Sequence, residues 1–375
     1  MDFYSTNSLS WDKLEYGTDA IQNLHYGLIH VGLPTMIDLS KDKLPNITNG
    51  NTPKNYELCQ EGDIAFADAS EDTNEVAKAV EFYKLKGKDV ICGLHTIHGR
   101  DNQHKTVVGY KGYAFSTTAF HHQIRRIAQG TKIYSINSKN FSECYIGIPS
   151  KEEQKKIATL LRLIDKRIAT QNKIIKDLKK LKSAIIEKLY SEIQGKEYSY
   201  RQLFDVINER NKQMEYSNIL SASQEKGMVN RDDLNLDIQF ERSNINTYKI
   251  VRKGDYVIHL RSFQGGFAFS DKLGVCSPAY TILRPNSFLE YSYLSNYFTS
   301  QRFIKSLVLV TYGIRDGRSI NVDEWLSMKI TIPSKEHQQY IVKVIGSFDR
   351  KIESEEAYTI HLSKQKQYLL RQMFI

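Results

Sequence analysis

The feature that most constrains this 375-residue sequence is an internal repeat. Residues 148–154, Ile-Pro-Ser-Lys-Glu-Glu-Gln, recur at 332–338 as Ile-Pro-Ser-Lys-Glu-His-Gln, an offset of 184 residues. The same offset then continues without a gap, and it matches Ile157 to Ile341, Asp165 to Asp349, Ile168 to Ile352, Leu178 to Leu362, Lys182 to Lys366 and Tyr190 to Phe374. A match this long is not coincidence, so the chain alternates between variable regions and copies of one segment.

Weaker matches indicate that the regions before the two copies are also related. Ser135-Ile136-Asn137 correspond to residues 319–321 at the same offset, and Gly62-Asp63 resemble Gly254-Asp255 at an offset of 192. The change of offset indicates insertions or deletions. The sequence therefore predicts globular regions at 1–147 and 192–331, alternating with repeated segments at 148–191 and 332–375.

Both repeated segments are predicted to be long helices. Apolar residues follow a 3-4 spacing in each copy: Leu161, Ile164, Ile168, Ile175, Leu178, Ile185 and Leu189, then Ile345, Phe348, Ile352, Leu362, Leu369 and Met373. Polar residues interrupt the stripe, for example Gln171 and Lys182. Ser150 and Glu153 form a capping box at the first start, whereas the second copy has His337 at the box position and so a weaker cap.

A helix of about 40 residues is about 60 Å long, and a compact domain cannot bury a narrow apolar stripe of that length. The other copy is the obvious partner. We therefore expect an antiparallel coiled coil with a pseudo-twofold relation between the copies. The alternative is that each helix packs on the surface of its own domain.

The variable regions read as mixed α and β. Short apolar runs at 63–66, 256–258 and 280–283 are bounded by turn residues and predict strands. The predicted fold class is α+β, with two globular domains and two paired long helices.

Composition and charge limit the function classes. With 41% hydrophobic and 25% charged residues, the chain is typical of a soluble globular protein, and no apolar stretch approaches the roughly 20 residues that cross a bilayer. We therefore expect a cytoplasmic protein without a membrane partner. The net charge of +9 resides in the repeated segments, and the remainder is neutral as a whole, so a DNA-facing surface there must be a local patch.

Catalytic motifs are not recognisable. There is no P-loop, and no Pro-Asp that would begin a restriction-type nuclease site. Residues 262–267 and 277–280 each miss a DNA adenine methyltransferase motif at one position, through Phe267 and Ala279. They also lie too close together to frame a cofactor-binding sheet.

A metal site is not expected either. The cysteines Cys59, Cys92, Cys144 and Cys276 form no Cys-x-x-Cys pair, which argues against a zinc ribbon and a disulfide framework, so we expect them to be reduced and buried. The histidines His95, His98, His104, His121 and His122 have no Cys or Glu partner at a familiar spacing.

Long cationic and amide side chains mark where nucleic acid could be read. In the first region a basic segment contains the candidates Lys84, Lys86, His98, Arg100, Lys105, Arg125 and Arg126. In the second region the candidates near glycine turns are Arg261, Gln264, Arg315 and Arg318. Such side chains suit phosphate binding and bidentate base contacts, and the alternative is a solvated surface with local ion pairs.

The repeated motif, Ile-Pro-Ser-Lys-Glu-Glu-Gln-Lys-Lys-Ile-Ala followed by Leu-Ile-Asp-Lys-Arg-Ile, resembles the conserved regions of specificity (S) subunits of type I restriction-modification systems. The Gly62-Asp63 and Gly254-Asp255 elements fit as well. The resemblance implies two target recognition domains that each read half of a split, asymmetric site in double-stranded DNA, with the helices as spacer.

The resemblance also implies a chain without catalytic activity or cofactor of its own. Two methylation (M) subunits would bring S-adenosylmethionine, and two restriction (R) subunits would bring ATP and Mg²⁺. Two alternatives remain: a coiled-coil adaptor that never touches DNA, and a self-sufficient methyltransferase.

Overall fold

We describe a computed structural model of the chain, covering residues 1–223, 226–233, 242–259, 266–312 and 319–374. The chain divides into two compact units, Met1–Asn172 with Ala357–Ile375, and Lys173–Glu356. Each unit therefore contains one globular region and a part of both long helices.

The helices include both predicted long ones. In chain order they are α1 (Tyr26–Val31), α2 (Lys111–Ala114), α3 (Thr118–Ile127), α4 (Ser138–Phe141), α5 (Lys151–Ser191), α6 (Tyr200–Leu203), α7 (Gln301–Ser306), α8 (Val322–Ser327) and α9 (Lys335–Met373). Short 3-10 helices lie at Trp11–Lys13, Arg231–Asp233, Arg242–Thr247, Tyr297–Thr299 and Leu307–Val310. Within the described ranges, no helix has an apolar stretch long enough to span a bilayer.

The first unit contains a five-stranded and a four-stranded sheet. Its strands are β1 (Asp2–Tyr4), β2 (Leu14–Glu15), β3 (Gln22–Leu24), β4 (Met36–Asp38), β5 (Asn46–Ile47), β6 (Ile64–Ala67), β7 (Ala69–Ser70), β8 (Ala79–Lys84), β9 (Val90–Cys92), β10 (Thr96–Arg100) and β11 (Tyr134–Ser135). The strand orders are β1-β10-β6-β8-β4 and β2-β5-β3-β9. Strand β6 is buried on both faces, since Ile64 and Phe66 pack in one apolar cluster and Ala65 and Ala67 in another.

The second unit repeats the central strand order. Its strands are β12 (Lys196–Ser199), β13 (Phe204–Ile207), β14 (Leu220–Ser223), β15 (Gly227–Asn230), β16 (Lys249–Val251), β17 (Tyr256–Ile258), β18 (Phe267–Phe269), β19 (Gly274–Cys276), β20 (Thr281–Pro285), β21 (Thr311–Tyr312), β22 (Ser319–Ile320) and β23 (Lys329–Ile332). The order β13-β20-β17-β18 corresponds to β1-β10-β6-β8, with all of these neighbours antiparallel. The duplication inferred from sequence thus extends to the topology.

The two long helices pair antiparallel, as predicted. In the first unit Asp165, in the first half of α5, forms an ion pair with Lys366, in the second half of α9, at 2.6 Å. In the second unit Lys182, in the second half of α5, pairs with Asp349, in the first half of α9. The 184-residue offset converts one pair into the other with the helices exchanged, which is the pattern of an isologous contact.

The predicted apolar stripe faces the inside of this pairing. Every stripe position predicted on α5 and α9 is buried or half-buried. In the first unit Ile157 and Leu161 belong to one cluster with Leu369 and Met373. The start caps of the two helices are alike, because the hydroxyls of the capping serines accept the N–H three residues on at 3.3 and 3.4 Å.

A buried glutamine explains why the repeated motif ends in that residue. Gln154 is fully buried on the first turn of α5. Its Oε1 accepts the Val107 N–H at 2.9 Å, and its Nε2 donates to the carbonyls of Lys105 and Pro149 at 3.1 and 2.8 Å. One side chain therefore fixes the helix start to the loop after β10.

The second copy makes the same three hydrogen bonds. Gln338 accepts the Glu290 N–H at 2.8 Å and donates to the carbonyls of Phe288 and Pro333 at 3.0 and 3.1 Å. A buried amide with all three partners satisfied is costly to replace, because each partner would lose its hydrogen bond inside the protein.

We predict that Gln338→Ala lowers the free energy of unfolding by about 3 kcal/mol, since it leaves buried backbone groups unpaired. The exposed Gln372 on the same helix provides the control, because Gln372→Ala should change stability by less than about 0.5 kcal/mol. Urea unfolding of both variants measures the difference. Equal stability of the two variants would contradict the role given to Gln338.

Candidate nucleic-acid interface

A tight turn before β6 organises the first globular region. The Asp63 carboxylate accepts the Gln60 N–H at 2.9 Å, while Gly62 adopts a left-handed backbone with φ of +92°. The Gly62 N–H donates to the Phe82 carbonyl at 2.7 Å, which connects the turn to β8. Glycine is favoured at this position because its missing Cβ allows positive φ without strain.

The second region has the same turn before β17. Asp255 accepts the Arg252 N–H at 2.8 Å, Gly254 has φ of +98°, and its N–H donates to the Ser270 carbonyl at 2.7 Å. The weak Gly-Asp match in the sequence is therefore a repeated structural element.

Each turn holds an arginine that comes from the neighbouring strand. Arg100 on β10 donates from Nε and Nη2 to Asp63 at 2.9 and 2.8 Å. Arg284 on β20 donates from the same two groups to Asp255 at 2.9 and 3.0 Å. Both carboxylates are 2% exposed, so the arginines neutralise charges that water cannot reach.

Arg100 and His98 are thereby occupied inside the first unit. Arg100 also pairs with Glu57 at 2.6 Å, and its guanidinium lies over the Tyr4 ring, 4.5 Å from the centroid. His98 is fully buried, and its Nε2 lies 2.8 Å from Asp63. Burial alone would raise the pKa of Asp63, but hydrogen bonds from His98 and Arg100 outweigh it and lower that pKa. Neither side chain lies at the surface that the sequence predicted.

Three other predicted residues are exposed on separate elements. Lys84 ends β8, with its Nζ 5.5 Å from the centroid of the Tyr83 ring. Lys86 occupies the following turn with φ of +57°, and Lys105 lies in the loop between β10 and α2. Each could reach a phosphate, but they do not share one element.

Helix α3 presents the most coherent basic surface. It buries Phe120 and Ile124 against the sheet, which turns Arg125 and Arg126 outward at its C-terminal end. The Asn74 side-chain oxygen accepts a hydrogen bond from Arg125 at 2.7 Å and so orients it. Sequence reasoning missed Asn74, because no local pattern connects a residue on a helix with one in a turn 51 residues away. Cationic residues at the C-terminal end of a helix also interact favourably with the helix dipole.

The candidates of the second region, Arg261, Gln264, Arg315 and Arg318, lie outside the described residues. They stay predictions from sequence. Within the described part, the same region contributes the Asp255–Arg284 pair and its surrounding strands.

Comparison with known proteins supports a common family for both halves. The chain matches the family described as Type I restriction modification DNA specificity domain over residues 93–180 and 195–363. It is 24% identical, over 78% of its length, to the MjaVIII type I restriction enzyme specificity subunit of Methanocaldococcus jannaschii, and the match covers 81% of that protein.

Two solved structures share the fold. The S subunit of a type I restriction-modification system from M. genitalium aligns with 100% of this chain and 93% of its own, with a TM-score of 0.52 at 15% identity. A chain from a structure described as the basis of complex assembly and conformational transition of the type I R-M system aligns over 90% of each chain, with a TM-score of 0.59 at 14% identity.

We predict that Arg100→Ala lowers the free energy of unfolding by about 3 to 5 kcal/mol, because it leaves the buried Asp63 carboxylate without its cation. Arg126→Ala removes an exposed arginine of the same unit and should cost less than about 0.5 kcal/mol. Thermal and urea unfolding compare the two variants. A stable Arg100→Ala protein would mean that Arg100 is free to act at the surface.

Proposed function

The chain belongs to the type I restriction-modification DNA specificity family, and we propose that it reads a bipartite, asymmetric DNA site, one half with each globular region. The observation that carries this proposal is the duplication itself. Both regions contain the same strand order and the same buried Asp–Arg turn, while the exposed residues differ. Two related but non-identical readers suit two different half-sites.

The functional division follows the repeat. Residues 1–147 and 192–331 would be the recognition domains, and residues 148–191 and 332–375 the spacer between them. Support comes from α5 and α9, which begin at Lys151 and Lys335, and from the antiparallel ion pairs between them.

Chemistry belongs to other subunits. Specificity subunits of this family are not enzymes, so methyl transfer and cleavage require partners. We assign S-adenosylmethionine to two methylation subunits, and ATP with Mg²⁺ to two restriction subunits, in a complex that works on DNA in the cytoplasm. Exposed apolar side chains on the long helices, Leu160, Leu163, Ile174, Leu181, Ile360 and Tyr368, suit the docking of such partners.

In the first recognition domain the exposed cations Lys84, Lys86, Lys105, Arg125 and Arg126 would contact DNA. In the second domain Arg261, Gln264, Arg315 and Arg318 would do so. Arg125 and Arg126 are the strongest of these candidates, because they are adjacent, exposed and carried by a helix whose other face is anchored in the core.

The proposed function predicts one bipartite methylation motif. Co-expression with the methylation subunit encoded beside it, followed by mapping of modified adenines, should give two defined half-sites separated by an unread gap of fixed length. Binding of the assembled methylase to duplex DNA should weaken steeply with salt, because phosphate contacts release counterions. Binding that is independent of salt, or random modification, would instead support the adaptor.

Variants of each region should affect different half-sites. We predict that Arg125→Gln with Arg126→Gln relaxes the motif in one half, because contacts to base edges are lost, and reduces the salt slope of binding by up to about 2, because two positive charges next to the DNA are lost. Arg315→Gln with Arg318→Gln should relax the other half.

Lys41→Gln with Lys43→Gln removes the same charge elsewhere on the first region and is the control. It should leave the motif unchanged. If either arginine pair relaxed both halves equally, the assignment of one half to each region would be wrong.

A further inference from the structure

The first unit contains a buried cluster of two cysteines and one histidine that DNA reading does not use. Cys59, Cys92 and His98 are 5%, 2% and 0% exposed. Their ligand atoms, two sulfurs and one ring nitrogen, all lie within 4.8 Å of one another. This is the donor set that thiophilic divalent metals prefer, and zinc above all.

Strand pairing brings these residues together from distant positions. The Cys59 N–H donates to the Val90 carbonyl at 2.8 Å, which places Cys59 beside β9, where Cys92 is the last residue. His98 lies on β10, the strand that follows. The sequence spacing has no recognisable metal pattern, which is why the sequence predicted no metal site.

The sulfur positions fit a metal better than a disulfide. The two Sγ atoms are 3.6 Å apart. Two thiolates bound to one tetrahedral zinc, each at about 2.3 Å, stand about 3.8 Å apart. A disulfide would require about 2.05 Å and hence a movement of the strands.

His98 is oriented as a ligand. Its Nε2 lies 2.8 Å from the Asp63 carboxylate, an arrangement that in the neutral imidazole puts the proton on Nε2 and leaves a lone pair on Nδ1. Within the described residues, this buried Nδ1 has no hydrogen-bond partner. A carboxylate behind the far nitrogen of a histidine is the usual outer shell of a zinc ligand.

The charges balance with zinc in place. Two thiolates neutralise Zn²⁺, and Arg100 already neutralises Asp63. Without a metal, the cluster is two thiols next to an unsatisfied buried nitrogen, which is a costly use of a core position.

In the second unit, the three equivalent positions hold residues that only pack in the apolar core. Cys59 and Val251 each precede the turn aspartate by four residues. His98 pairs with the second residue of β6, and Ile282 pairs with the second residue of β17. Cys92 and Cys276 both end the equivalent strands β9 and β19.

The second copy is therefore Val-Cys-Ile where the first is Cys-Cys-His. All three residues of the second copy are 0% exposed and belong to one apolar cluster. The fold does not need a polar trio at these positions, so the trio in the first copy calls for another explanation.

We propose that Cys59, Cys92 and His98 bind one Zn²⁺, which fixes β9, β10 and the segment before β6 to one another, with the fourth coordination position left to a small exogenous ligand. This site is independent of the proposed DNA reading. It differs from the expectation drawn from the sequence, which was that the chain has no metal site.

The test is the zinc content of the untagged full-length chain, measured by inductively coupled plasma mass spectrometry after gel filtration. We expect close to one zinc per chain. Cys59→Val with His98→Ile converts the first copy to the second and should remove the zinc while the protein stays folded. Cys276→Ser changes the equivalent cysteine of the second unit and should keep the zinc.

Cobalt substitution of the wild-type chain gives a readout that does not depend on variants. Bound Co²⁺ should show thiolate-to-metal charge-transfer absorption, which requires a cysteine ligand on the metal. Zinc far below one per chain, zinc retained in Cys59→Val with His98→Ile, or an intact mass showing a Cys59–Cys92 disulfide would each overturn the proposal.

Discussion

The structure depends on one packing constraint, which is that each long helix has an apolar stripe too narrow and too long for its own globular region to bury. In each unit, apolar residues from the start of one helix and the end of the other share a cluster, which also includes residues of the globular region. The repeat offset relates the ion pair Asp165–Lys366 to the ion pair Lys182–Asp349. The two pairs are therefore the same contact with the roles of the two helices exchanged. An antiparallel arrangement satisfies both copies of one sequence at once, because each half of one helix meets the opposite half of the other.

The sequence predicted what periodicity and repetition encode. The stripe positions, the helix starts near 150 and 334 and the strand at 256–258 all occur as expected. It could not predict contacts between distant strands. Counting basic residues placed Arg100 and His98 on a DNA surface, but Asp63 lies 37 and 35 residues away and occupies both side chains in the interior. For the same reason, the sequence could not predict that the side chains of Cys59 and Cys92 are close together.

Comparison of the two copies within one chain separates framework from variation. The Asp–Arg turn and the buried glutamine are retained with nearly the same distances, so they belong to the framework on which both regions are built. The core positions next to that turn differ instead, being Cys and His in one copy and Val and Ile in the other. The two regions therefore share one framework but differ in their core side chains. Two regions of common origin can in this way retain one topology while their interiors and surfaces diverge.

The burial of basic residues also changes how DNA binding should be understood. Between residues 84 and 132, Arg100 is paired with Asp63 and Glu57, and Lys111 is 4% exposed and lies 3.7 Å from Glu81. These charges neutralise buried carboxylates and cannot also release counterions from DNA. The exposed cations that remain are spread over a strand end, turns, a loop and one helix end. In the described part of the first region, the remaining cations suit base selection better than strong backbone binding, and under the proposed function the partner subunits would supply much of the affinity for the DNA backbone.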